Sequence, residues 1–143
     1  MIHITVKKKM DLDMNNDLLT LVNMLLHSSY QFVFLTSISR KLKMHGFAWA
    51  TMLKEKKCKD SVLIILDFIN ENGTLELAEI AEPKFISSEL TAEFVVTRWE
   101  EVENWLKTKI DNVCKKLAHS NMKNKLQTIQ MLDLILNNIL SYS

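Results

Sequence analysis

Residues that interrupt helices are scarce in this chain, and this scarcity limits the folds that it can adopt. Its 143 residues include one proline, Pro83, and two glycines, Gly46 and Gly73. Tight hairpins between strands depend on such residues, whereas long helices form best without them. The sequence therefore predicts an all-α protein. The length of the chain indicates a single domain. A domain of this size can bury one core without disulfides or structural metals.

Apolar residues recur at helical spacing in four segments of the chain. The predicted helices span about residues 16–42, 44–72, 87–117 and 121–141. Gly73 is the type of residue that commonly follows a helix end. Hydroxyl groups of Ser87 or Ser88 and of Ser120 can cap the third and fourth helices.

The links between the predicted helices differ in length. Those near Lys43 and His119 are short, whereas the segment between the second and third helices is long and contains Pro83. This connectivity is typical of a four-helix bundle with one long crossover. We expect a bundle domain at residues 17–143, preceded by an N-terminal extension at residues 1–16. Residues 2–6 alternate enough to form a short strand with a partner.

The second and fourth helices carry more apolar surface than one bundle stripe requires. Residues 62–66 and 134–136 are apolar without interruption. We expect the surplus to contact protein partners or another copy of the chain, although a generously packed monomer core is the alternative. The candidate interface residues are Ile64, Ile65, Trp99, Trp105 and Leu134.

Charge and cysteine content exclude several classes of protein. The net charge is +1, which gives no broad basic footprint for nucleic acid. No run approaches the roughly 18 apolar residues expected for a membrane span, and no secretory leader is evident. Cys58 and Cys114 lie far apart in the sequence, which favours free thiols in a reducing compartment. We expect an intracellular protein, in the cytoplasm.

Three stretches have the order and spacing of motifs in a known family. Residues 23–30, NMLLHSSY, are similar to the first-helix pattern N-x-E-L-Y-x-x-Y, and residues 46–48, GFA, are similar to the start of the second helix. Residues 70–83 are similar to the turn and crossover that follow. On these residues the chain resembles the ferritin family, most closely its prokaryotic type. The resemblance implies a ferritin-like four-helix bundle, without a fifth helix because the chain ends at Ser143.

Ferritins oxidise Fe(II) at a di-iron centre inside the bundle, with glutamates from several helices and a Glu-x-x-His pair. The positions that the resemblance assigns to this centre are Leu25, Cys58, Ser61, Glu100 and Thr128. Loss of one residue after Ala48 would move the second-helix pair to Lys57 and Asp60, and a one-residue insertion would move the third-helix acid to Glu101. Neither register restores the ligands, so we expect no metal site, no catalytic residue, no cofactor and no ferroxidase activity.

The resemblance and the missing ligands together favour a structural or assembly subunit of a larger complex. The alternative is a non-catalytic iron-storage subunit that co-assembles with an active ferritin. A third interpretation is a redox or heme-binding protein that uses Cys58, His27 or the eight methionines. We interpret the lysines at positions 54, 56, 57 and 59 as surface charges of the second helix that contact solvent or a partner.

Overall fold

The structure of the chain is a computed structural model that describes residues 2–72 and 89–141, with side chains from residue 13 onward. Its helices are α1 (Ile2–Lys41), α2 (His45–Asn72), α3 (Ala92–Ala118) and α4 (Lys125–Leu140). No strand occurs in these two described ranges. The expectation of an all-α four-helix bundle is therefore confirmed.

The helices pack in a ring in which each contacts two others. α1 packs against α2 and α3, and α4 packs against the same two helices, so α1 and α4 lie on one diagonal of the bundle. The α1–α3 pair is antiparallel, because Lys116 donates to Asp17 (2.9 Å) whereas Arg98 donates to Gln31 (3.0 Å).

The α2–α4 pair is also antiparallel. Asn124 donates to Asn72 (3.2 Å) at one end, and Lys54 donates to the Ser141 carbonyl (2.9 Å) at the other. Since the short links make α1–α2 and α3–α4 antiparallel as well, α2 and α3 run in the same direction on the second diagonal. α2 therefore ends and α3 begins at opposite ends of the bundle, as a crossover between them requires. The predicted crossover segment itself lies outside the described residues.

The turn between α1 and α2 closes with a Schellman motif. The Met44 amide donates to the Ser39 carbonyl (2.8 Å), and the Lys43 amide donates to the Arg40 carbonyl (3.1 Å). This motif needs a left-handed residue after the helix, and Lys43 takes that role with φ of 59°. A side chain other than glycine is strained there, since Cβ approaches the carbonyl oxygen.

The core runs through the centre of the bundle and draws on all four helices. Its largest fully buried side chains include Phe32 from α1, Ile65 from α2, Leu106 from α3 and Leu132 from α4. The periodicity of the apolar residues predicted the inward position of Phe32, and burial of such side chains contributes about 2 kcal/mol each.

Three predicted helix starts are wrong. α4 begins at Lys125 and not near residue 121, and its N-cap residue is Asn124, so Ser120 does not cap it. α1 begins at Ile2, so residues 2–6 are helical, not a strand, and the expected boundary after residue 16 falls inside α1. No glycine or proline separates the extension from the predicted helix, so nothing forces an interruption there. α3 begins at Ala92, where the Thr91 hydroxyl accepts from the Phe94 amide (3.1 Å), and Ser87 and Ser88 lie outside the described residues.

Candidate functional site

Four of the five positions assigned to the di-iron centre point into the bundle. Leu25, Cys58, Ser61 and Thr128 are all fully buried. None of them offers a carboxylate, and the two hydroxyls are satisfied by their own helices. The Ser61 hydroxyl donates to the Lys57 carbonyl, and the Thr128 hydroxyl donates to the Asn124 carbonyl, each at 2.8 Å. These side chains therefore form an interior that presents apolar groups, a thiol and locally bonded hydroxyls.

The acid expected from α3 does not join this interior. Glu100 and Glu101 are both exposed, in contrast to the sequence-based assignment. The inward stripe of α3 runs through Val95, Val102 and Leu106, and both acids lie off it. The Glu101 carboxylate lies 3.5 Å from the Arg98 guanidinium instead. Within residues 13–72 and 89–141, no group of three or more His, Cys, Asp or Glu side chains has a geometry that could hold a metal ion.

A buried lysine lies in the bundle interior, and the sequence did not predict it. Lys54 on α2 is only 2% exposed, so the interpretation of this residue as a surface charge is wrong. Its ammonium donates to the backbone carbonyls of Ile139 and Ser141, where α4 ends. The last carbonyls of a helix have no partner within it and form its negative end, which makes them good acceptors for a cation.

Two other groups lie close to Lys54. The Glu103 carboxylate on α3 lies 3.8 Å from its ammonium and also accepts a hydrogen bond from the Trp99 indole. The Trp99 ring centroid is 5.8 Å from the same ammonium, within reach of a cation–π interaction. We call Lys54, Glu103, Trp99 and the carbonyls of Ile139 and Ser141 the lysine site.

Burial dominates the electrostatics of the lysine site. Desolvation lowers the pKa of Lys54 from its usual value, although the Glu103 carboxylate opposes that shift. Desolvation likewise raises the pKa of Glu103, while Lys54 opposes that shift. For both groups the removal of water outweighs the attraction, as is common for ion pairs inside proteins. Burial of this ion pair therefore costs free energy. The hydrogen bonds that Lys54 and Glu103 make with neighbouring groups offset that cost.

Lys57 supplies a second ammonium at the same helix end. It lies one turn after Lys54 and donates to the Ser141 carbonyl (3.2 Å) and the Ser141 hydroxyl (2.8 Å). Two lysines of α2 therefore hold the C-terminal end of α4. Lys56 and Lys59 are exposed, as expected for residues on the outer side of α2.

The thiol and imidazole considered for redox or heme chemistry are both buried. Desolvation raises the pKa of the Cys58 thiol to about 12, which keeps it protonated and unreactive at neutral pH. The His27 side chain is 7% exposed, and its Nε2 atom has no hydrogen-bond partner among the described residues. Neither group lies in a described cluster of metal ligands.

The outward surface of α1 lacks charge over more than five turns. Residues 18–39 contain no Asp, Glu, Lys or Arg. Tyr30, Val33 and Phe34 on this stretch are 54%, 49% and 47% exposed. Tyr30 and Phe34 pack edge to face, with ring centroids 5.1 Å apart. We call this uncharged outer stripe the α1 surface. Charged side chains normally cover an outer helix face, so their absence over this length is typical of a surface that meets a partner.

The candidate interface residues fall into different environments. Leu134 and Ile64 are exposed, at 64% and 39%, and are accessible to a partner. Ile65 is fully buried in the chain's own core, so its assignment as an interface residue is wrong. Adjacent residues on a helix point about 100° apart, which is why Ile64 faces outward and Ile65 inward. Trp99 and Trp105 are partly buried and pack against the core.

One stretch of α1 is apolar and long enough to cross a membrane by length and composition alone. This stretch is Asp13–Lys41, and 61% of its most apolar window is buried inside the bundle. A core helix of a bundle meets the same criterion, so there is no clear membrane span in the described residues.

The fold and the interior define the class of protein as an all-α four-helix bundle in which a lysine, paired with a glutamate, occupies the interior. No protein-family model matches the chain, and no curated protein matches it significantly.

Proposed function

We propose that the chain is a ferritin-like bundle without ferroxidase activity that acts as a structural or assembly subunit. The observation that carries this proposal is the chemistry at the positions that the resemblance assigns to the di-iron centre. Four of them are fully buried without a carboxylate, and the fifth is exposed. Two iron ions bring four or more positive charges into the interior, and only anionic ligands make that burial favourable.

The lysine site supports the same conclusion. Glu103 is the α3 carboxylate that approaches the bundle interior, and its charge is already balanced by Lys54 at 3.8 Å. A fixed ammonium beside a metal position repels dications. The sequence interpretation of an iron-storage subunit receives no comparable support, since that role requires acids that nucleate mineral.

The α1 surface supports a role in assembly, with a second copy of the chain as the partner. Exposed charges bound this surface, Asp13 at one end and Arg40 and Lys41 at the other. If two copies pack their α1 helices antiparallel, Asp13 of each lies near Arg40 and Lys41 of the other. Such a pairing has twofold symmetry, the commonest arrangement of homo-oligomers.

The register of that pairing follows from the residue numbers. A twofold axis near residue 28 places Tyr30 of one copy against Leu26 of the other, and places Val33 against Asn23. Large apolar side chains then lie at the centre and the charges lie at the rim. This is the usual anatomy of a protein interface.

Two measurements on the purified chain test the proposed function. Oxidation of Fe(II) in air, followed by absorbance, is expected to equal the protein-free rate, and Glu100→Gln and Glu101→Gln are expected to leave it unchanged. Light scattering coupled to size exclusion is expected to give twice the chain mass. Fe(II) oxidation well above background that is lost in either glutamine variant would contradict the proposed absence of ferroxidase activity. A monomer at all concentrations would contradict self-association.

A further inference from the structure

The lysine site has the composition of a cation-binding site. Two backbone carbonyls, one carboxylate and one aromatic face surround the ammonium of Lys54. Each of these groups attracts a positive charge, and the Ile139 carbonyl, in the last turn of α4, also carries part of the negative end of the helix dipole. The cation lies on α2, whereas Trp99 and Glu103 lie on α3, Ile139 lies on α4 and Ser141 directly follows α4.

We propose that the C-terminal end of α4, together with Glu103 and Trp99, is a binding site for a primary ammonium ion, which Lys54 occupies as a tethered ligand. Primary ammonium fits because it offers three N–H donors to oxygens in different directions. A quaternary ammonium has no donor, and a guanidinium is planar and larger. This inference does not depend on self-association or on the absence of iron chemistry.

The Lys54 ammonium and the groups that bind it lie on different helices. The site can therefore be tested by removing the Lys54 side chain and supplying a free ammonium ion in its place. Lys54→Ala removes three methylene groups and the ammonium, which together correspond to the n-propylammonium ion. The groups that receive the ion remain in place on α3 and α4. The site in this variant is then expected to accept n-propylammonium from solution.

The experiment is thermal unfolding of Lys54→Ala, followed by circular dichroism, in increasing concentrations of n-propylammonium chloride. Loss of one partner of a buried pair is expected to lower the Tm by on the order of 10 °C. A ligand that binds only the folded chain raises stability in proportion to the logarithm of its concentration once it exceeds its Kd. We therefore expect a progressive recovery of Tm in this variant. If the variant is unfolded without additive, the same titration is expected to restore its helical signal.

Matched controls separate binding from general salt and solvent effects. Sodium chloride at equal ionic strength, 1-propanol and tetramethylammonium chloride are expected to give no comparable recovery. Wild-type protein and Lys56→Ala, which changes an exposed lysine on the same helix, are expected to gain nothing from n-propylammonium. Adding Glu103→Gln to Lys54→Ala is expected to weaken the apparent affinity about tenfold, since it removes the facing charge.

The proposal is overturned by either of two results. One is an n-propylammonium effect on Lys54→Ala no larger than that of sodium chloride. The other is an equal effect on the wild-type chain, which would show that the ion acts elsewhere.

Discussion

The ammonium of Lys54, inside the bundle on α2, donates to the backbone carbonyl of Ile139 in the last turn of α4. This contact joins residues 85 positions apart in the sequence. It fixes the end of α4 against α2 and places a positive charge in an interior that the resemblance would reserve for metal ligands.

The first prediction concerns the coupling between Lys54 and Glu103. Lys54→Met is expected to destabilise the chain by about 3 kcal/mol, because it leaves a half-buried carboxylate and the helix-end carbonyl of Ile139 without the Lys54 ammonium. Glu103→Gln is expected to cost less, since its side chain is more exposed and its amide still accepts a hydrogen bond. Urea unfolding of both single variants and the double variant measures the coupling, expected at about 1 kcal/mol. Lys56→Met is the exposed control, and fully additive effects of Lys54→Met and Glu103→Gln contradict the pairing.

The second prediction concerns the strained turn between α1 and α2. Lys43 has φ of 59°, so Lys43→Gly is expected to stabilise the chain by about 1 kcal/mol. Lys41→Gly is the matched control, because Lys41 lies inside α1 and its replacement is expected to destabilise by about 1 kcal/mol. Chemical unfolding measures both changes. A loss of stability in Lys43→Gly would show that the residue is not left-handed in solution.

The third prediction concerns the buried thiol. Because burial raises the pKa of Cys58 to about 12 from the usual 9.0, the folded chain holds this proton more tightly than the unfolded chain. Stability is therefore expected to fall as pH rises from about 9 toward 12, with this thiol contributing on the order of 1 kcal/mol per pH unit. Cys58→Ala is expected to show a shallower decline over the same range.

Thiol labelling of the native chain gives an independent check on Cys58. At pH 8 a disulfide reagent is expected to leave Cys58 unmodified until the chain is unfolded in guanidinium. Rapid native modification of Cys58, or parallel stability curves for wild type and Cys58→Ala above pH 9, contradicts this account.

The fourth prediction concerns the α1 surface. Val33→Glu places a charge among apolar side chains of the proposed interface, so it is expected to weaken dimerisation at least about tenfold. Leu126→Glu is the matched control, since Leu126 is 69% exposed on α4, away from α1. Sedimentation equilibrium measures both dissociation constants. Equal behaviour of the two variants would place the interface elsewhere.

Local sequence signals predicted much of the fold. The limits of α2 follow from the residues around Gly46 and from Gly73, and the inward position of Leu25 follows from helical spacing, whereas Ser61 and Thr128 were assigned through the family resemblance. The start of α3 was missed because several hydroxyl residues precede it, and only the backbone path decides that Thr91 is the cap.

The lysine site could not be predicted from the sequence in the same way. A lysine in a helix with other lysines indicates a solvated face, and the carbonyl acceptors of Lys54 lie more than 80 residues away. The available signal was register: Lys54 precedes Cys58 and Ser61 by four and seven residues, which places it on the same inward face of α2. The burial of Lys54 depends on where α4 ends in the folded bundle. This is a property of the tertiary structure, which local sequence patterns do not predict.

Iron bound per chain tests the central claim, that the interior holds no di-iron centre. The purified chain is incubated with excess Fe(II) under anaerobic conditions, desalted, and analysed by metal quantification together with Mössbauer spectroscopy. We predict no more iron than a control protein of equal charge retains. Two irons per chain with the spectrum of a bridged pair would contradict the account.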